Sequence, residues 1–399
     1  MTNRLPVTFI YLFYFLLEVI FLNGIPDISL GSININLLDI ITILLFLIIL
    51  FKLVITKFQI HKMDLPILLF GVLITVSYMR GLQMFGLESA TNSLRNTLYF
   101  YMTLLSIVVL GWSAISLPKF IYAWGFISWL IFGIVLLRWA MVGTGLLQNS
   151  NWIASGGGMV RVINAAQTLF LLQTVIFALS IPKGIKLMPF QRALPWALIP
   201  TIVVLQHRTV WVILLFILIW FAIKTKKVLI YLPLLTLGFV FIFMLIMSSL
   251  GNNFVFESIT GSAQNLQTFN WRLESWSQLL SPTRYRSFTD YVIGQPYGTG
   301  YVRYLYGSMY STETSPHNFY IQTFLDVGAI GLILLLYFYL KSLIRLKRNQ
   351  GILVCKPFFL LIVSQLLFFL AYPPNYEQGL LLGSALLLNK SLDDHRLEP

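Results

Sequence analysis

The sequence predicts an all-α, polytopic integral membrane protein of about twelve transmembrane helices with one large extracytoplasmic loop. Three observations predict it. Of the 399 residues, 58% are hydrophobic and only 10% charged, with a mean hydropathy of +0.81. A soluble domain carries about 25% charged residues, so this chain has too few polar side chains to cover a water-facing surface. The apolar residues gather in runs near the roughly 20 residues that cross a ~30 Å hydrocarbon core. Finally, Lys and Arg lie in the short connections, with the asymmetry that sets membrane orientation.

Taken in order, the apolar runs are 7–24, 37–56, 65–79, 95–115, 119–142, 164–181, 190–206, 208–223, 228–249, 322–342, 356–372 and 377–389. The run from Val7 to Phe21 lacks a small-residue cleavage site and reads as a retained helix. With the N-terminus inside, 18 of the 27 basic residues fall in cytoplasmic segments. Both termini are therefore expected in the cytoplasm, with residues 1–399 forming a single polytopic domain that includes the loop at about 250–321. Cys355 is the single cysteine, which excludes a disulfide within the chain and a cysteine-based metal site. The net charge of +13 is spread over short loops rather than gathered in a stripe, which speaks against nucleic acid as a partner.

All thirteen lysines fall on the expected inner side, while the nine basic residues outside are all arginine. Guanidinium grips phosphate with two parallel hydrogen bonds in a partly dry site, so the set points to an anionic ligand at the outer face. Pairing with carboxylates is the plain alternative for any single one of them. Glu18 and Asp39, near the outer ends of the first two helices, fit either function or packing against an arginine.

The loop carries three elements. Ala263–Leu280 reads as an amphipathic helix with Phe269, Arg272, Trp276 and Leu279 on one face. Gly294–Tyr301 is turn-rich, but neither it nor Gly156-Gly157-Gly158 has the Gly-Lys-Ser/Thr ending of a phosphate-binding loop. In Ser315-Pro316-His317-Asn318-Phe319-Tyr320, Ser315 is expected as N-cap and Pro316 as the first helical residue. That places His317 and Asn318 in the first turn, where the helix dipole disfavours a charged imidazole. His317 then fits a general base or a structural histidine equally.

These motifs occur in a recognisable order. His207-Arg208-Thr209-Val210-Trp211 begins a helix; Arg272 and Trp276 follow, then Gly298-Thr299-Gly300, His317-Asn318-Phe319-Tyr320, and Asp326-Val327-Gly328-Ala329-Ile330-Gly331. Over roughly 200–345 the chain resembles the O-antigen polymerase and O-antigen ligase family of bacterial envelope glycosyltransferases. The resemblance implies a polyprenyl-diphosphate-linked glycan as donor and transfer at the outer face of the inner membrane, with no cofactor and no metal. It implies His317, Arg272 and Arg208 as catalytic residues, with Arg161, Arg95, Arg208 and Arg272 binding the substrate diphosphate. Asn318, Tyr320 and Trp276 support them, and a flippase and a chain-length regulator are the implied partners besides membrane lipid. The activity expected is polymerisation of repeat units, with ligation of finished polymer to lipid A-core as the alternative. The spread-out carboxylates suit a metal-free reaction, although Glu274 and Glu313 are rival bases. A flippase or transporter is the rival of another class. Such proteins are commonly built from two similar halves, and the long loop has no counterpart in the other half.

Overall fold

The computed structural model describes residues 27–30, 33–55, 65–110, 117–144, 161–180, 189–224, 267–282, 287–305, 310–350 and 355–397, together with 16, 17, 146 and 352. In chain order the elements are β1 (Asp27–Leu30), β2 (Ile33–Asn36), α1 (Leu37–Ile55), α2 (Leu65–Leu110), α3 (Leu117–Gly143), α4 (Ala165–Ser180), α5 (Pro189–Val204) and α6 (Arg208–Lys224). They continue with α7 (Gln267–Leu279), α8 (Phe288–Ile293), β3 (Arg303–Leu305), β4 (Tyr310–Thr312), α9 (Phe319–Arg348), α10 (Cys355–Phe368) and α11 (Tyr376–Leu397). The protein is mostly helical, as the sequence predicts. The two short antiparallel hairpins, β1–β2 and β3–β4, are additions. Ile33-Asn34-Ile35-Asn36 alternates with the period of a strand, which a scan for long apolar runs passes over.

Among the described residues, three helices are long and apolar enough to cross a membrane: Leu65–Val109, Ala123–Val142 and Phe319–Arg348. The expected helix at 228–249 and most of the one at 7–24 lie outside the described residues. Water-averse surface is plentiful: on α1, Ile43, Leu44, Phe51 and Val54 are all more than half exposed, a patch suited to lipid.

Two of these helices are broken by glycine. Gly86 in α2 has φ 79° and ψ 175°, a region essentially reserved for glycine. The Tyr78 hydroxyl lies 3.0 Å from the Thr91 hydroxyl, whereas thirteen residues of straight helix would separate them by about 20 Å. Likewise the Tyr101 hydroxyl donates to the Ile67 carbonyl at 3.1 Å. So α2 is a hairpin of two arms, Leu65–Phe85 and Leu87–Leu110. The expected loop at 80–94 is instead helical on both sides of Gly86, because its polar residues suit a helix as long as the tip is wet. The hairpin has apolar roots and a polar tip, Arg80 to Asn96.

Gly328 breaks α9 in the same way, at φ 74° and ψ −174°. The Tyr320 hydroxyl donates to Leu366 O at 2.8 Å and the Tyr339 hydroxyl to Gln365 Oε1 at 3.1 Å, so residues on either side of the break meet the same end of α10. The nine residues Phe319–Val327 therefore form a short helix folded back on Ala329–Arg348. A Cβ on Gly328 would lie 2.3 Å from the Val292 carbonyl oxygen, and one on Gly294 2.3 Å from that of Asp326.

The chain divides into two compact units. The first contains Ser116–Leu266 and Gly351–Ser364. Its centre is α4, mostly apolar and almost wholly buried, as a core helix should be. Asn164 and Gln167 start it by a reciprocal capping pair, at 2.9 and 3.1 Å. The second contains Ile25–Ile115, Gln267–Gln350 and Gln365–Pro399. There Gly379 and Gly383 let α11 pack directly on the second arm of α2. Phe100, Phe319 and Phe369 meet edge to face.

Candidate functional site

In the second unit, the site is built where α7 crosses the start of α9. Asn318, not Ser315, is the N-cap of α9: its backbone is extended and its side chain accepts from Ile321 N. The helix begins one turn later than the Ser-Pro pair suggests, because His317 stands at φ 50°. A bulky residue in that left-handed region is uncommon and ends any helix begun at Pro316. The turn is held on every side. Trp276 Nε1 donates to Pro316 O at 2.8 Å. Phe319 N donates to Phe369 O at 2.9 Å, and Asn318 Nδ2 to Leu370 O at 3.2 Å. Arg303, 1% exposed, donates to the carbonyls of Thr314 at 2.6 Å, Tyr301 at 2.8 Å and Ser315 at 3.2 Å.

Arg272 projects into this turn from α7. Its guanidinium lies 5.8 Å from the Trp271 ring centre and 5.7 Å from that of Tyr372. Trp271 in turn meets the His317 imidazole edge to face at 5.6 Å. Among the described residues Arg272 has no carboxylate partner, and its buried Nε has no hydrogen-bond partner. His317 Nδ1 is likewise buried without a partner. Burial, then the positive charges of Arg272 and Arg303, lowers the His317 pKa from 6.5 to about 4. The imidazole is neutral at neutral pH, and its buried Nδ1 carries no hydrogen bond that would hold it in one role. Of the rival bases, Glu313 is exposed, and Glu274, two residues on from Arg272, is turned about 200° round the helix.

The remaining candidates divide between the units. Arg95 belongs to the second, where Asp39 engages it at 2.9 Å and Asn92 at 2.8 Å. Asp39 thus packs against an arginine. Tyr320 anchors α9 through Leu366. Arg161 and Arg208 belong to the first unit. Arg208 opens α6, just after Gln206 at φ 57°. Arg161 donates to Gln206 O at 3.1 Å, and His207 Nε2 meets Ile163 O at 2.9 Å, which ties the two segments together. Burial lowers the His207 pKa to about 4, with the Arg161 charge adding to it. Gln206 and His317 are the two positive-φ non-glycine residues among those described. Backbone strain of this kind gathers at functional sites, and here both residues fall at predicted site segments. Trp271, Tyr372 and Arg303 carry no motif of their own. For the first unit, a usable signal was present: no Asp or Glu occurs between Glu88 and Glu257.

The comparison with protein families covers much of this region. Residues 193–336 match the family model described as O-antigen ligase. This stretch is similar to the O-antigen ligase family. The matched residues include Arg208, Arg272, His317 and the Gly328 break, while Arg95 and Arg161 lie before them. Family members are glycosyltransferase-like enzymes of the membrane, both ligases and polymerases, that act on polyprenyl-linked glycans and lipid A-core. No curated protein matches the chain.

Proposed function

We propose that the protein is a surface polysaccharide polymerase. It would join polyprenyl-diphosphate-linked repeat units at the outer face of the bacterial inner membrane by metal-independent inverting transfer. The observation that carries this reading is Arg272, clasped by two aromatic faces beside a neutral His317, with no carboxylate partner among the described residues. A cation held in that way is an anion site. Its level fits a lipid-borne diphosphate. Phe319, two residues from His317, packs on Phe100, about one helical turn below the polar tip of α2. The site therefore stands near the boundary between apolar and polar surface, where a polyprenyl diphosphate places its charge.

In the reaction, an acceptor hydroxyl oxygen attacks the anomeric carbon of the donor. The new glycosidic bond forms as the carbon–oxygen bond to the diphosphate breaks, the hydroxyl proton passes to the His317 imidazole, and the polyprenyl diphosphate leaves with the bonding pair. Arg272 stabilises the departing charge; the roles of Arg208, Arg161 and Arg95 in catalysis and diphosphate binding rest on the sequence resemblance alone. A bound diphosphate also offsets the positive field at His317 and raises its proton affinity, so the donor prepares its own base. With the tip of α2 outward, the basic last turn of α9 (Arg345, Lys347 and Arg348) falls in the cytoplasm, as the positive-inside rule asks.

The family description favours a second reading, transfer of finished polymer to lipid A-core. Glycan mass spectrometry of a deletion strain separates the two. A polymerase deletion leaves single repeats on the core, and a ligase deletion leaves long polymer on the polyprenyl carrier. In either case His317→Ala and Arg272→Ala abolish transfer while the protein still inserts. Normal product from either variant refutes the site assignment.

A further inference from the structure

At the far end of the Phe319–Val327 helix lies a cavity of about 210 Å³, lined by Arg80, Phe85, Asp290, Gln295 and Thr299, with Met84 at its mouth. Its walls are rigidly joined. Arg80 donates to Gly294 O at 2.7 Å and pairs with the Asp290 carboxylate. Ser77 Oγ donates to Gln295 O at 2.5 Å and Tyr297 N to Ser77 O at 3.2 Å. Gly81 and Gly298 bring the loop onto the first arm of α2, where a Cβ on Gly298 would touch Phe85 at 3.0 Å. Gln295 N donates to Leu325 O at 2.7 Å, which fixes the cavity to the last turn of the helix whose other end carries His317.

The chemistry of the lining differs from that of the His317 site. Arg80 is neutralised by Asp290, so the cavity does not select an anion. It offers the second Asp290 oxygen, which accepts no hydrogen bond among the described residues, together with an amide, a hydroxyl and guanidinium donors, beside the Phe85 ring. Paired acceptors and donors next to an aromatic face suit a ligand with adjacent hydroxyls on an apolar ring edge. Its volume admits one sugar ring. Along the helix, Asn318 and Leu325 are separated by about 10 Å, a span bridged by a few sugar rings.

We infer that this cavity is a saccharide subsite that holds a distal sugar of the glycan whose reacting end lies at Arg272 and His317. The inference rests on the glycosyltransferase reading. The test uses the full-length protein in liposomes, with polyprenyl diphosphate carrying either the producing strain's whole repeat unit or a single sugar. Met84 is half-exposed and makes none of the polar contacts, so Met84→Trp blocks the mouth from outside. It should raise KM for the whole-repeat substrate about tenfold, the loss of one or two polar contacts, and leave KM for the single-sugar substrate unchanged. Equal changes for both substrates, or no change for either, overturn the subsite. Saturation-transfer NMR with the free repeat saccharide gives a readout independent of catalysis. Binding present in the wild type and lost in Met84→Trp supports the subsite even if no transfer is seen, in which case the glycosyltransferase reading alone fails. Binding equal in both proteins overturns the subsite.

Discussion

Replacing Arg272 by Gln separates a functional arginine from a structural one. The side chain is half-exposed, has no ion pair among the described residues, and touches two aromatic rings at 5.7 and 5.8 Å. Each such contact contributes about 0.5–1 kcal/mol, so the loss of stability should stay near 1–2 kcal/mol and the protein should purify normally. The effect on transfer is much larger. Removing one preorganised donor to developing negative charge lowers the rate about 10²–10³-fold. The variant also loses one of the two charges that hold down the His317 pKa, now about 4. With that positive neighbour gone the imidazole is protonated more easily, so the acid limb of the kcat/KM–pH profile moves upward, toward the ordinary value of about 6.5. The assay is lipid-linked glycan extension in liposomes, followed from pH 4 to 8 beside thermal unfolding in detergent. An acid limb that stays in place, or a rate within threefold of the wild type, would refute the reasoning.

Other perturbations test the framework of the site. Trp276→Phe removes the 2.8 Å bond to Pro316 O and should destabilise by about 1 kcal/mol; loosening the turn that holds His317 should lower kcat with KM little changed, which steady-state kinetics would show. Gly86→Ala meets no atom within 4 Å and pays only for its backbone region, about 1–3 kcal/mol. Gly328→Ala adds a collision at 2.3 Å with Val292 O, so its melting temperature should fall well below that of Gly86→Ala. Comparable melting points would argue against the tight Gly294–Gly328 contact. His207, 7% exposed, has a folded pKa of about 4 against the ordinary 6.5. The unfolded chain takes up its proton first, so stability is full above about pH 6.5 and declines as pH falls toward 4. The loss is up to roughly 3 kcal/mol, and an acid-unfolding profile of His207→Gln should lack that share.

Much of this architecture is legible in the residue order. The amphipathic pattern around Arg272 places that arginine on a helix, and Gln267–Leu279 is the helix observed. Arg208 opens a helix as its motif implies. The errors have definite causes. Hydropathy reads the polar stretch at 80–94 as loop, yet it is helix, since a hairpin tip outside the apolar layer can be polar and helical at once. Ser-Pro is a good local start for a helix, but the contacts of residues 316–319 with Trp276, Phe369 and Leu370 are long-range. They hold His317 in a left-handed turn and move the cap to Asn318.

Composition and periodicity were enough to determine a mostly helical membrane protein, because those properties are summed over many residues and tolerate local error. Which of the arginines has a carboxylate partner was decided only by tertiary structure. Arg95 meets Asp39 from 56 positions away and Arg80 meets Asp290 from 210, while Arg272 meets aromatic faces and a neutral histidine. Charge neutralisation depends on a few ångströms of separation in space, and distance along the chain does not encode it.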